Sequence, residues 1–122
     1  VVHTHSTYAT AWAARGEEIP CVLTMMGDEF GGPVPVGPFA LIGDDSIGRG
    51  IVDTLRESRS PAVLMRNHGP FTIGRDARAA VKAAEEVAKT VHVARAGGPL
   101  VPIEQHHIDS LYDRYQNVYG QH

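Results

Sequence analysis

The sequence predicts an α/β fold, because short strand-like segments alternate with helical segments along the chain. Residues 1–6 are a β-branched run and residues 62–66 are a continuous apolar run between turn residues, and both patterns are typical of strands. From Asp76 onward, alanines and valines recur at helical spacing as far as Gly97, which predicts a long helix. Strands that alternate with helices in this way are typical of α/β proteins.

The first part of the chain is predicted to hold a short helix, a second strand and a loop. Residues 7–16 are alanine-rich, with Ser6 at the N-cap position and Gly16 at the C′ position, so they predict a short helix. Residues 19–26 are mostly apolar and predict a buried strand. Glycines and prolines dominate residues 27–38 and predict a loop, because proline removes a backbone donor and glycine permits positive φ.

The later elements follow from capping residues and hydrophobic spacing. Residues 44–55 begin with two aspartates and a serine and continue with apolar residues at the 3.6 period, which predicts a capped helix. Residues 62–66 predict a strand buried on both faces, and residues 71–73 are close enough to pair with it as a hairpin. Lys82 falls on the solvent-facing side of the long helix, and a last helix is predicted at 106–116.

Composition and charge exclude several kinds of partner. With 122 residues, 43% hydrophobic and 20% charged, the chain is expected to form one globular domain over residues 1–122. The net charge of -3 and the absence of a basic stripe argue against nucleic acid, and no apolar run is long enough for a bilayer. The single cysteine, Cys21, and the lack of a visible signal peptide favour a cytoplasmic location. Because Val1 enters a strand directly, we expect an N-terminal portion to precede it.

Three histidines are the main candidates for chemistry. His3 and His5 lie two apart in a predicted strand, so their side chains should leave the same face. His68 follows the strand at 62–66. Three neutral imidazoles are a common ligand set for a divalent metal with an open coordination position, and neutral ligands preserve the Lewis acidity of the metal. The alternative for His3 and His5 is a pair of polar residues on the solvent face of an edge strand.

Four segments together resemble the class II aldolase/adducin family. They are His-Thr-His-Ser-Thr-Tyr-Ala-Thr at 3–10, Asn-His-Gly-Pro-Phe at 67–71, the alanine-rich helix after them, and Val-Tyr-Gly-Gln at 118–121. Within the family, that tail and Gly-Asp-Glu-Phe-Gly-Gly at 27–32 are most similar to the L-ribulose-5-phosphate 4-epimerase branch. The resemblance covers essentially all 122 residues, but only the C-terminal portion of a typical member.

The resemblance implies a three-layer α/β/α fold around a mixed, largely antiparallel β-sheet, in a homotetramer with sites at subunit interfaces. It implies a divalent metal, zinc first and manganese or cobalt as alternatives, held by His3, His5 and His68. The implied substrate is a sugar phosphate: L-ribulose 5-phosphate is converted to D-xylulose 5-phosphate by breaking and re-forming the C3–C4 bond. Asp28 and Tyr119, the latter reaching in from a neighbouring subunit, are implied as the acid/base groups.

Alternatives remain open for these residues and for the function. An aspartate before a glycine-rich turn, such as Asp28, often caps the local backbone, and an aromatic residue in a tail, such as Tyr119, often docks on a core. The same family includes aldolases that cleave a deoxyketose 1-phosphate such as fuculose 1-phosphate. It also includes adducin-like interaction modules without catalysis. The family's phosphate-binding segments and an acidic base would precede Val1.

Overall fold

A computed structural model describes residues 1–95 and 98–120 of the chain, and these residues form a mixed four-stranded sheet. The strand order across the sheet is β1-β4-β3-β2. The outer strand β1 and the inner strand β3 both run antiparallel to β4, whereas β2 runs parallel to β3. The strands are β1 (Val2–His3), β2 (Val36–Gly37), β3 (Ala62–Met65) and β4 (Gly69–Thr72).

Five α-helices and one π-helical turn accompany the sheet in the described part of the chain. They are α1 (Thr7–Arg15), α2 (Thr24–Phe30), α3 (Ser46–Arg56), α4 (Ala77–Arg95), α5 (Gln105–Arg114) and the C-terminal turn (Tyr115–Tyr119). The predicted stop of α1 is confirmed, since Gly16 is left-handed at φ 67° and its N–H donates to the Ala13 carbonyl. Ser6 lies at the N-cap position, but its side chain makes no capping hydrogen bond.

Helices cover both faces of the sheet. The side chains of β3 show this most clearly, because alternate residues belong to two different core clusters. Ala62 and Leu64 belong to a core cluster that includes residues of α1 and α4. Val63 and Met65 belong to a second cluster that includes Ile51 of α3. Because successive residues of a strand point to opposite faces, these two clusters lie on opposite sides of the sheet. The predicted three-layer arrangement around a mixed, largely antiparallel sheet is therefore confirmed.

The prediction for residues 19–32 is wrong in its secondary structure. Ile19 makes only an isolated bridge to Val34. Helix α2 covers the last residues of the predicted strand, 24–26, and the first residues of the predicted loop, 27–30. Met26 and Phe30 are four residues apart and both fully buried, which is the spacing of one helical face. Asp28 therefore projects from a helix rather than from a glycine-rich loop.

The strand predicted at residues 1–6 is limited to β1, and β2 lies inside the loop predicted at residues 27–38. The remaining predicted elements are confirmed, with small shifts at their ends. The helix at 44–55 is α3, and the Asp44 Oδ1 accepts a hydrogen bond from the Ser46 N–H at 2.8 Å. The hairpin at 62–73 is formed by β3 and β4, and the last predicted helix is α5. Gly97, the predicted end of the long helix, lies outside the described residues. Within the described ranges, no helix combines the length and the apolar character that crossing a bilayer requires.

Candidate active site

His3 and His5 lie where β1 ends, and the backbone of the neighbouring strand orients one of them. The Nδ1 of His3 is 2.8 Å from the Pro70 carbonyl oxygen. Because a carbonyl can only accept, this Nδ1 carries the proton and donates it, which leaves the His3 Nε2 lone pair free. The His3 Nε2 lies 2.9 Å from the His5 Nε2. In the free chain this distance fits a hydrogen bond in which the His5 Nε2–H donates to the His3 Nε2 lone pair.

His68 reaches the same place from the turn between β3 and β4. Asn67 is the one non-glycine residue in the described ranges with positive φ, at 59°, and its N–H donates to the Ala13 carbonyl at 2.9 Å. This turn places the His68 ring centroid 4.8 Å from that of His3 and 5.4 Å from that of His5. One ligand atom from each of the three imidazoles lies within 4.8 Å of the others. The structure thus brings the predicted triad together.

The surroundings of the triad favour the neutral form of His68 and fix the ring of His3. Burial lowers the pKa of His68, and the neighbouring His3 and His5 lower it further. A neutral imidazole keeps the lone pair that a metal needs. The Phe71 ring stacks on His3 at 3.9 Å between centroids, with 13° between the planes. Gly69 leaves room for the chain beside it, since a Cβ there would lie 3.2 Å from the Thr4 carbonyl oxygen. Three convergent imidazole nitrogens fit a divalent metal of the zinc type.

Asp28 and Tyr119 also lie together, although they come from distant parts of the chain. The Tyr119 hydroxyl, at the end of the C-terminal turn, donates a hydrogen bond to the Asp28 Oδ1 in α2. This bond raises the pKa of Tyr119 above its ordinary value. Tyr119 is 45% exposed. Between this pair and the triad, the described residues show no hydrogen bond or ring contact.

Three further residues beside the pair were missed by sequence reasoning. The Lys82 Nζ donates to Glu29 and to the Tyr115 hydroxyl, and that hydroxyl donates to the Glu29 Oε1 at 2.6 Å. Lys82 was expected to face solvent, and 44% of its side chain is exposed. Its ammonium group is nevertheless paired with the Glu29 carboxylate. Glu29 follows Asp28 directly, and Tyr115 precedes Tyr119 by four residues, so proximity to the predicted pair could have found these two residues. Nothing in the sequence near the pair points to Lys82, which joins them only through the fold.

A second group of side chains of the ligand type lies at the start of α5 and is exposed. It consists of Glu104, His106 and His107, with ligand atoms within 4.8 Å of one another. The His106 Nδ1 is 3.4 Å from the Glu104 Oε2. The positive end of a helix opposes a bound cation, and no side chain is anchored there as His3 is anchored by Pro70. The histidine triad is therefore the stronger candidate for a metal site.

Comparison with known proteins decides the family. The model of the class II aldolase and adducin N-terminal domain matches residues 1–95. The chain belongs to the class II aldolase and adducin family. The L-ribulose-5-phosphate 4-epimerase UlaF of Salmonella paratyphi C (strain RKS4594) is 38% identical over 141 residues, covering 99% of this chain and 60% of that enzyme. UlaF of Salmonella choleraesuis (strain SC-B67) matches equally well. This family member thus spans 60% of the length of those curated relatives.

Solved structures of similar proteins agree with this family assignment. An L-fuculose 1-phosphate aldolase superposes with a TM-score of 0.79 at 25% identity, covering 93% of this chain and 54% of the aldolase. YgbL from Escherichia coli superposes with a TM-score of 0.74 at 26% identity, covering 90% of this chain and 55% of YgbL. The predicted class II aldolase-like fold is therefore confirmed.

Proposed function

We propose that this chain carries the metal centre and the acid/base pair of a cytoplasmic sugar-phosphate 4-epimerase. Its reaction would convert L-ribulose 5-phosphate to D-xylulose 5-phosphate by cleavage and re-formation of the C3–C4 bond. The convergence of His3, His5 and His68 within 4.8 Å is the main support, because it supplies the ligand set that the chemistry needs. The choice of epimerase over aldolase is supported by the 38% identity to UlaF over 99% of the chain.

In this proposal, His3, His5 and His68 hold a divalent ion, with zinc first and manganese or cobalt also compatible with three imidazoles. When bound, such an ion supplies Lewis acidity towards the ketose carbonyl. The Pro70 carbonyl fixes the His3 tautomer and would leave the Nε2 lone pair available to such an ion. The Phe71 ring stacks on one face of His3 and orients its ring.

Asp28 and Tyr119 are proposed to move the protons. Breaking the C3–C4 bond requires the C4 hydroxyl to lose a proton, and re-forming it requires the new C4 oxygen to gain one. The Asp28 carboxylate can accept the first proton, and the Tyr119 hydroxyl can donate the second, one on each face of the aldehyde. The two groups bond to each other in the free chain, so the substrate must come between them.

We further propose that the complete site forms between copies of the chain in a homotetramer. Within one chain, the Asp28–Tyr119 pair makes no hydrogen bond to the triad among the described residues. Both members of the pair are accessible, with Tyr119 45% exposed. The pair of one copy could therefore face the triad of its neighbour. Asp28 as well as Tyr119 would then come from the neighbouring subunit.

The proposed function is tested by incubating the metal-loaded protein with L-ribulose 5-phosphate and following the products by NMR. An epimerase produces D-xylulose 5-phosphate until the two pentulose phosphates reach equilibrium. The same protein treated with a chelator and desalted is the control and should give no product. Metal-loaded protein that leaves both pentulose phosphates unchanged would contradict the proposal.

A class II aldolase is the second candidate, favoured by the TM-score of 0.79 to an L-fuculose 1-phosphate aldolase. Incubation with fuculose 1-phosphate separates the two functions, because an aldolase releases a triose phosphate and an epimerase does not. An adducin-like interaction module would bind no metal. The convergence of three imidazoles argues against that module, and protein purified without zinc, manganese or cobalt would argue for it.

A further inference from the structure

We propose that Glu29, Lys82 and Tyr115 are positioning residues that hold Tyr119 against Asp28. We call these three residues the Glu29 network. The positioning role is a property of the folded chain, and its importance for turnover rests on the proposed function.

The Glu29 network ties three separate elements together through three hydrogen bonds. The Tyr115 hydroxyl donates to the Glu29 Oε1 at 2.6 Å, and the Lys82 Nζ donates both to that hydroxyl, at 2.8 Å, and to the same Glu29 oxygen. Glu29 belongs to α2, Lys82 to α4 and Tyr115 to the C-terminal turn. Only 22% of the Glu29 side chain is exposed, and hydrogen bonds to a charged group are stronger than neutral ones when they are partly shielded from water.

The network is linked to the pair at both of its ends. Glu29 follows Asp28 in the same helix, so one α2 segment carries both acceptors. Tyr115 and Tyr119 begin and end the C-terminal turn, and their rings meet edge to face at 5.9 Å between centroids. The turn closes tightly, since a Cβ at Gly120 would lie 1.9 Å from the Tyr115 carbonyl oxygen. Fixing Tyr115 on Glu29 therefore also fixes Tyr119 near Asp28.

The C-terminal turn is not held by burial of its own side chains. None of its residues is buried, and Val118 is 75% exposed. The Arg114 guanidinium lies 5.6 Å from the Tyr119 ring centroid, but Arg114 belongs to α5, which continues directly into the turn. Packing of α5 brings the turn to α2, since Ile108 joins the same core cluster as Met26 and Phe30. The hydrogen bonds of Tyr115 and Tyr119 then fix these two side chains.

The test is an NMR titration of the Tyr119 phenol in protein labelled at the tyrosine ring carbons, with Tyr119→Phe used to assign the signal. In the unaltered protein, the bond to Asp28 raises the pKa of Tyr119 above its ordinary value of about 10. In Lys82→Met, loss of the positioning should bring this pKa back towards about 10. Losing a positive charge alone would move a phenol pKa upward, so a decrease can only report the lost contact with Asp28.

Two further variants make the result specific. Tyr115→Phe keeps the ring but removes the bridging hydroxyl, and it should lower the pKa of Tyr119 in the same way. Lys89→Met is the matched control, because Lys89 lies on the same helix and pairs at 3.0 Å with Glu86, outside the network. It should leave the titration unchanged. An unchanged Tyr119 titration in folded Lys82→Met and Tyr115→Phe would overturn the proposal.

Turnover adds a second readout on metal-loaded protein with L-ribulose 5-phosphate. Misplacing the pair should lower kcat roughly tenfold to a hundredfold in Lys82→Met, with KM and metal content unchanged. Lys82→Arg keeps the positive charge and should lose less kcat than Lys82→Met. Adding Tyr115→Phe to Lys82→Met should lower kcat little further, because both substitutions act through the same contact. A lower pKa of Tyr119 in the variants of a protein that never epimerises the substrate would support the positioning role and contradict the proposed function.

Discussion

The histidine triad and the Asp28–Tyr119 pair are built in contrasting ways. The triad is placed by backbone hydrogen bonds: the Pro70 carbonyl accepts from the His3 ring and from the Thr4 N–H, and the Asn67 N–H donates to α1. The pair is placed by side chains, through the Glu29 network and the bond between its own two members. One region is anchored in the sheet, and the other lies between the partly exposed face of α2 and an exposed terminal turn.

The contrast matches the tolerances of the two proposed tasks. A metal site requires ligand distances within about 0.2 Å, which a hydrogen-bonded strand and tight turn can supply. A proton-transfer pair must admit a substrate between its members, so a contact that side chains can release is better suited to it. We therefore expect changes to the triad and to the pair to have separable effects.

The largest effect is expected from His68→Ala, which removes one ligand of the triad. Metal binding and turnover should both fall at least about a hundredfold, because two imidazoles cannot complete the ligand set. Metal analysis of the purified protein and the epimerase assay measure the two losses. His106→Ala is the matched control at an exposed histidine and should change neither. Full metal content in His68→Ala would contradict the assignment of the site.

The next effect is expected from Tyr119→Phe and Asp28→Asn, which alter the pair alone. Each should lower kcat about a hundredfold or more, since an acid/base group is lost. Metal content should remain at the level of the unaltered protein, because the pair makes no hydrogen bond to the triad. Loss of metal in either variant would show that the two regions are not separable.

A smaller effect is expected where α5 packs on the end of α2. A Cβ at Gly31, which has φ +64°, would lie 2.7 Å from the Tyr112 ring and 2.8 Å from the Arg59 side chain. Gly31→Ala should lower the free energy of unfolding by about 1–3 kcal/mol, measured by urea denaturation. It should also weaken the pair more than the triad, because α5 carries the C-terminal turn.

Gly48→Ala is the control for that change, because a Cβ at Gly48 meets nothing within 4 Å. It lies in α3 and should raise the free energy of unfolding by about 0.5–1 kcal/mol, since alanine loses less backbone entropy than glycine. Equal destabilisation by the two substitutions would contradict the proposed close contact between α2 and α5.

The smallest effect is expected from Asp109→Asn, at the surface contact between α5 and the Arg59 side chain. The Arg59 Nη1 lies 2.6 Å from the Asp109 Oδ1, and this bond lowers the pKa of Asp109. A carboxyl whose pKa is lowered by folding stabilises the protein above its unfolded pKa of about 3.9 and loses this stabilisation as pH falls through the folded value. The variant should have a slightly lower Tm at pH 7, and the difference should narrow below pH 4.

The wrong prediction for residues 19–32 shows that a local pattern does not always distinguish a strand from a helix. A short apolar run is compatible with a buried strand or a buried helix, and periodicity alone does not separate them. Met26 and Phe30 became one buried helical face because they pack with Ile108 of α5, about eighty residues away. Gly31 then ended the helix in a left-handed conformation rather than opening a loop.

The sequence by itself determined the elements whose signals are local. The β-branched run predicted β1, the hairpin spacing brought His68 to the same end of the sheet, and capping residues set α3. His5 lies beyond the end of β1, so its place beside His3 was decided by the fold and not by the strand period. The motifs at these positions also identified the family. Tertiary structure alone decided how the Asp28–Tyr119 pair is assembled. Tyr119 meets Asp28 across 91 residues, and Tyr115 meets Glu29 across 86, because α2, α4 and α5 pack together in three dimensions.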